Sequence, residues 1–362
     1  MIGLYIHIPF CRSKCNYCNF FSVQYNNDIL IDNYICSLLK HCKKFANRKI
    51  NSVYIGGGTP SILSLKQMQK FLLLLYEIFD FSNLVEFTFE LNPESTSREK
   101  LCFLKEIGVN RLSFGLQSTD DAQLKFLGRL HDFKTFCDVY NAARKENFNN
   151  INIDLMYGLP NQTLKNWSQI IKNVIIFNSE HLSVYPLSIE KGTKFYKNDV
   201  AAINDDIQRN MYDIAVEILE LEGYNYYEIS NWSKKNKESF HNTNYWRNLE
   251  YIGIGSGASG YLENKRYKNV ENIGTYIYLL ENNFNVKIEN EYINDKTVVI
   301  ENIVLGLRLL NEGISINCFN DKKHHDVLLK FIKNKILKIE NNRVRLDKKY
   351  AFVFNQIILE FI

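Results

Sequence analysis

Six short apolar runs alternate with amphipathic stretches over the first two thirds of the chain, and this alternation limits the folds open to it more than any other feature. The β-like runs are Leu4–Ile8, Ser52–Ile55, Val85–Glu90, Arg111–Gly115, Ile151–Leu155 and His181–Pro186. Helical patterns follow them at Asp28–Phe45, Ser64–Phe79, Ser97–Ile107, Phe133–Glu146, Leu164–Phe177 and Asp205–Glu222. Ser64 with Gln67 three residues on reads as a capping box. Strand–helix repetition requires right-handed crossovers and a parallel sheet. Six units leave a doubly wound sheet or an incomplete barrel. Nearly every run ends in chemically capable residues: His7, Gly56–Thr59, Glu90, Gln117, Asp154 and Tyr185. Strand carboxyl ends form the active face of parallel barrels, and one ligand reaching all six ends favours the barrel. The expected fold is therefore α/β, an incomplete (β/α)6 barrel.

The rest of the chain divides less cleanly. Residues 1–235 are expected to hold the barrel. Residues 236–284 form a connecting segment in which polar, aromatic and glycine residues crowd together. Residues 285–362 read as helix, two short strands around Asn341-Asn342, then helix, a small winged-helix-like unit. Gly253–Ala258 lacks the helix and downstream acid of a dinucleotide fingerprint and reads as a tight turn near the barrel mouth.

Composition narrows the function. With 44 basic and 40 acidic residues, the excess of +4 carries no concentrated basic patch, which argues against nucleic acid. The longest apolar stretch, Phe71–Phe79, contains Glu77 and is far below the roughly 20 residues that span a bilayer. Peripheral membrane contact stays open. No signal peptide is visible, and a reducing cytoplasm is expected, where thiols remain free for metal. Of eight cysteines, Cys36, Cys42, Cys102, Cys137 and Cys318 are scattered and expected to be small buried hydrophobes.

The other three form Cys11-x3-Cys15-x2-Cys18, directly behind the first strand. Three thiolates in one loop can converge on an inorganic core. A structural zinc ion normally takes four protein ligands. A cubane has four irons, so three cysteines leave one iron open to an exogenous chelating ligand. A zinc knuckle is the competing reading.

Tyr5-Ile-His-Ile-Pro-Phe-Cys-x3-Cys-x-Tyr-Cys-x-Phe20 resembles the cluster loop of radical S-adenosylmethionine (SAM) proteins. It is most similar to the branch that holds oxygen-independent coproporphyrinogen III oxidase and the HemW-type haem chaperones. The likeness continues through Gly56–Pro60, Glu90–Pro93, Phe114–Gln117, Leu127–His131, Asp154–Pro160, Tyr227–Asn231 and His241–Trp246. It implies a [4Fe–4S] cluster on Cys11, Cys15 and Cys18, with SAM on the open iron. It further implies that Gly57, Gly58 and Thr59 receive the methionine amino group, that Glu90 and Tyr5 contact the cofactor, and that Tyr17 lies near the adenine. Without it, the glycines would be a bare tight turn and Glu90 a buried ion pair. Gln117, Arg129 and Asp154 match positions that hold a second SAM in the oxidase; one bound molecule or two stays open.

Two features separate the oxidase from the chaperone within this resemblance. The oxidase typically has a further cysteine two residues after the third ligand, where this chain has Asn19-Phe20, and an N-terminal extension not seen here. His241-Asn-Thr-Asn-Tyr245-Trp resembles the motif linked to haem handling in the chaperones, with His241 as iron ligand and Tyr245 as a second contact. The expected activity is haem binding and delivery to an acceptor protein; oxidative decarboxylation of coproporphyrinogen III is the alternative.

Overall fold

A computed structural model describes residues 1–24 and 27–362. The six expected strands are present as β1 (Gly3–Ile8), β2 (Ser52–Gly57), β3 (Glu86–Leu91), β4 (Arg111–Gln117), β5 (Ile151–Tyr157) and β6 (His181–Pro186). Each pairs in parallel with the next. The intervening helices are α1 (Asp28–Lys43), α2 (Leu65–Ile78), α3 (Arg98–Glu106), α4 (Asp121–Leu127), α5 (Phe133–Lys145) and α6 (Leu164–Ile175). Ser64 and Gln67 form the reciprocal capping box that opens α2.

Strand periodicity explains the curl. Successive side chains point to opposite faces. One set, including Leu4, Ile6, Val53, Ile55, Phe87, Phe89, Leu112, Phe114, Ile153 and Leu182, is buried in one apolar core with the helices. The alternate set is polar: Tyr54, Glu90, Arg111, Ser113, Asn152, Asp154, Ser183 and Tyr185 line a single cavity. Residues from five strands can share one cavity only if the sheet bends around it.

The sheet is larger than six strands. Its order runs 287–292, 265–269, 259–262, 251–254, β1 to β6, 231–233, 225–228. Tyr251–Ile254 pairs in parallel with β1, and Asn231–Ser233 pairs antiparallel with β6. The two edges of the six-stranded arc are thus each extended, and the arc stays open. The connecting segment supplies three of these added strands and is built into the barrel sheet, and the edge strand 287–292 comes from the carboxyl-terminal region. Within it, Gly255–Ala258 forms the expected turn after the Tyr251–Ile254 strand. The carboxyl-terminal region contains the Lys322–Lys333 helix and the hairpin Leu337–Glu340/Arg343–Leu346, turned by Asn341 and Asn342 at φ 51° and 60°. The expectation of buried scattered cysteines holds for Cys42 only. Cys36 is exposed, and Cys102, Cys137 and Cys318 are partly buried. Cys36 lies on the outer face of α1, 3.3 Å from Lys70 Nζ.

Candidate radical SAM site

The loop that carries the three cysteines leaves β1 and is tied down on both sides. Phe10–Cys11 pairs with Val23–Gln24. Asn16 donates its backbone N–H to Leu127 O at 2.9 Å and its side-chain amide to Phe126 O at 2.8 Å, and Phe195 N–H donates to Asn16 O at 2.9 Å. Tyr17 packs on the apolar cluster of Leu127, Met156, Leu159, Leu187 and Phe195. Donors then face the sulfurs. Thr59 Oγ1 lies 3.5 Å from Cys11 Sγ, and Arg129 Nη1 lies 3.6 Å from Cys15 Sγ. Burial raises the Cys11 and Cys18 thiol pKa values, and neighbouring Cys15 adds to the rise in both. The Arg129 charge opposes this at Cys11.

A single zinc ion would gather its ligands within about 2.3 Å of one point. The loop offers three thiols, one short of the four protein ligands usual for structural zinc. A cubane is a larger body whose thiolates stand further apart, and a three-sulfur donor set suits it.

Glycines let β2 turn beneath this loop. Gly57 has φ +115°, and a Cβ there would stand 2.6 Å from the His7 ring. At Gly58 a Cβ would come within 2.8 Å of Phe10 O and 3.0 Å of Cys11 Sγ. Gly57→Ala therefore combines a disfavoured conformation with a core clash and should cost about 2 kcal/mol or more. Chemical denaturation of the purified variant checks this; an unchanged midpoint would contradict the geometry.

The carboxylate of Glu90 accepts the Tyr54 hydroxyl at 2.7 Å and Gly57 N–H at 3.1 Å. Burial pushes its pKa up to about 7, with Asp154 adding to the rise. Asp154 accepts the Asn152 amide at 2.7 Å and is raised by burial as well. Gln117 ends β4 at φ +73°, where the ladder with β5 slips by one residue. Left-handed backbone in a non-glycine residue at a cavity wall marks stored strain, a common mark of binding sites.

All three cysteines, Tyr17, Gly57, Gly58, Thr59, Glu90, Gln117, Arg129 and Asp154 line one cavity of about 460 Å³. Arg129 is already engaged: Nη2 donates to Asn92 Oδ1 and to Gly115 O, each at 2.6 Å, and Nη1 faces Cys15. Tyr5 stands apart. Its hydroxyl bonds His7 Nδ1 at 2.8 Å, and its ring lines a neighbouring cavity.

His241 and Tyr245 are not on the cysteine-cavity wall. His241 sits in the short Phe240–Trp246 helix at the amino-terminal end of the strands, 1% exposed. Its Nδ1 pairs with Ser52 Oγ and its Nε2 with Tyr245 Oη, each at 2.8 Å. Burial, with Arg111 nearby, lowers its pKa to about 3, so the ring is neutral. The sequence sets this histidine in a segment crowded with polar, aromatic and glycine residues. The structure buries it because Glu86 draws the helix inward, accepting Phe240 N–H at 2.8 Å and His241 N–H at 3.2 Å. A carboxylate at a helix amino terminus is favourable.

Sequence reasoning missed Glu86 and Arg111, both buried. Glu86 and Arg111 each begin an apolar strand at the position whose side chain faces the barrel interior. That alternation was the signal available for them.

Comparison with known proteins places this geometry. A family model described as the radical SAM superfamily matches residues 5–174. The haem chaperone HemW of Lactococcus lactis is 35% identical over 369 aligned positions, covering 99% of this chain and 96% of that protein. The chain belongs to the HemW family of radical SAM proteins. HemW of Bacillus subtilis is 38% identical, over 89% of this chain and 87% of its own. In fold, coproporphyrinogen III oxidase (HemN) of Escherichia coli superposes with a TM-score of 0.87 at 20% identity, over 99% of this chain and 89% of that one. Members of the radical SAM superfamily use a [4Fe–4S] cluster and SAM, and the bound pair supplies one-electron cleavage chemistry. The HemW-family cavity here fits that pair in its donor set, in the glycine turn that runs beneath the cysteines, and in a carboxylate suited to a cationic ligand. No helix among the described residues is long and apolar enough to cross a membrane.

Proposed function

We propose that this protein is a haem chaperone that binds haem and hands it to an acceptor protein, working in the cytoplasm. One observation carries the proposal: 35% identity along 99% of the chain with a relative named for that activity, a span that takes in the His241–Trp246 motif. In this reading Cys11, Cys15 and Cys18 hold the cluster. Glu90, Gly57, Gly58 and Thr59 orient SAM, Tyr17 covers its adenine, and the Tyr5–His7 pair fixes the wall beside it. Gln117 and Asp154 offer a further polar patch for a second SAM. Arg129 serves the cluster side, because its Nη1 faces Cys15 and its Nη2 is held by Asn92 and the Gly115 carbonyl.

Coproporphyrinogen oxidation is the second reading, favoured by retention of Gln117, Arg129 and Asp154. The pair Asn19-Phe20, where the oxidase typically carries a cysteine, speaks against it.

Haem titration of the anaerobically reconstituted protein tests the proposal. A Soret change saturating at micromolar haem is expected, and its absence rejects the chaperone reading. Protoporphyrinogen formed from coproporphyrinogen III would establish the oxidase instead. His241→Ala is expected to weaken haem affinity about tenfold or more while iron and sulfide content stay at the wild-type level. Unchanged affinity would remove His241 from haem handling.

A further inference from the structure

Side-chain donors face the sulfurs of Cys11 and Cys15, and a single amide holds both donors. Asn92 follows β3 at the carboxyl end of the barrel and lines the cysteine cavity. Its backbone is fixed: its N–H donates to Ser61 Oγ at 3.0 Å, and its carbonyl accepts the Thr96 hydroxyl at 2.8 Å. Its side chain bridges two neighbours. Oδ1 accepts Arg129 Nη2 at 2.6 Å, and Nδ2 donates to Thr59 Oγ1 at 3.0 Å. Beyond them, Arg129 Nη1 faces Cys15 Sγ at 3.6 Å, and Thr59 Oγ1 faces Cys11 Sγ at 3.5 Å.

The direction of each proton follows from what each group can donate. A guanidinium has donors only. The Asn92 oxygen must therefore turn to Arg129, which leaves its nitrogen for Thr59. The Thr59 oxygen receives that N–H, so its own proton is free for the Cys11 sulfur. An aspartate at 92 would keep the Arg129 bond and reverse the other half. A carboxylate only accepts, so it would draw the Thr59 proton away from sulfur. β4 makes room for the bridge at Gly115, where a Cβ would stand 3.1 Å from both Arg129 Nη2 and Asn92 Oδ1. Hydrogen bonds to cluster sulfurs help to set the reduction potential, and the groups that orient such donors count as well. Reduction adds one negative charge, which donors at sulfur stabilise.

We propose that Asn92 is a positioning residue that raises the reduction potential of the cluster by aiming Thr59 at Cys11 and Arg129 at Cys15. This rests on the assignment of the cluster to Cys11, Cys15 and Cys18.

The test is a reductive titration of the anaerobically reconstituted full-length protein, followed by EPR. Dithionite is oxidised, the cluster gains one electron, and no bond forms or breaks. Asn92→Leu has a similar volume and no polar side-chain atom. It is expected to keep wild-type iron and sulfide and to lower the midpoint by at least about 59 mV, the equivalent of tenfold for a one-electron couple. Thr59→Val should lower it by less. The double variant should shift by less than the sum of the two single shifts, because both changes remove the same bond to Cys11. Asn92→Asp keeps Arg129 in place and carries the test if Asn92→Leu fails to take up iron; its midpoint should fall as well. A wild-type midpoint in an Asn92 variant with a full cluster, or additive shifts in the double variant, overturns the proposal while leaving the cluster assignment intact. Loss of the cluster in both Asn92 variants makes Asn92 structural and overturns it too. No cluster in the wild type overturns the assignment beneath it.

Discussion

Cys15→Ala is expected to abolish the iron–sulfur cluster while leaving the fold intact. Cys15 is the middle thiol of the three, and its sulfur is partly exposed at the cavity wall. The loop around it does not depend on that sulfur for its shape. Asn16, next in the chain, is bonded to Leu127, Phe126 and Phe195, and Tyr17 is packed in an apolar cluster. The substitution therefore removes a ligand without removing the support. Two thiolates cannot hold a cubane against loss of iron, so bound iron and sulfide after anaerobic reconstitution should fall to a small fraction of the wild-type level. SAM affinity should fall with them, by about tenfold or more, because the open iron is lost as an anchor. Iron and sulfide analysis with far-ultraviolet circular dichroism checks both halves. Wild-type stoichiometry of iron and sulfide in the variant would contradict the ligand assignment.

The second large effect is at Glu90, and its sign reverses between stability and binding. In the unfolded chain this carboxyl titrates near 4.5; in the folded protein burial holds it at about 7. Between those values the folded state carries the extra proton, so its stability falls as pH rises from about 4.5 to 7 and stays reduced above. The shift corresponds to roughly 3 kcal/mol. Glu90→Gln removes that cost and can still accept the Tyr54 hydroxyl. The apoprotein variant is therefore expected to be more stable than wild type at pH 8, and equal to it near pH 4. SAM is cationic, and only the ionised carboxylate attracts it. Wild-type affinity should accordingly rise between pH 6 and pH 8, and the variant should bind more weakly at pH 8 with no such rise. Denaturation curves and SAM titrations at the two pH values separate the effects. A variant less stable at pH 8 that bound SAM normally would show that Glu90 is structural.

The barrel was legible because its two periodicities are clean. Each of β1 to β6 has an uninterrupted apolar face, and α1 to α6 begin at recognisable caps such as Ser64, Ser97 and Thr163. The cysteine loop was legible from its spacing as a metal-binding element, and the glycine turn only through the resemblance to radical SAM proteins. Most of the added strands were not. Lys265–Asn269 and Lys287–Tyr292 carry too many charged and amide residues to show an apolar face, and the Glu263-Asn264 turn before the first of them, at φ 54° and 58°, has no glycine to mark it. His241 was misplaced for a related reason. Its helix has only seven residues, and it is drawn into the core by Glu86, which lies 155 positions away in the chain. A contact of that range leaves no local pattern. Arg129 was legible as a cavity residue, but its orientation toward Cys15 depends on Asn92 and the Gly115 carbonyl.

The claim beneath all of this is that three thiolates on the loop behind β1 hold a cubane with one iron free for SAM. EPR of the reduced, anaerobically reconstituted protein, recorded before and after adding SAM, tests it most directly. A [4Fe–4S]⁺ signal whose shape changes on SAM addition is the predicted result. A protein that takes up zinc alone, or a cluster signal indifferent to SAM, would contradict it.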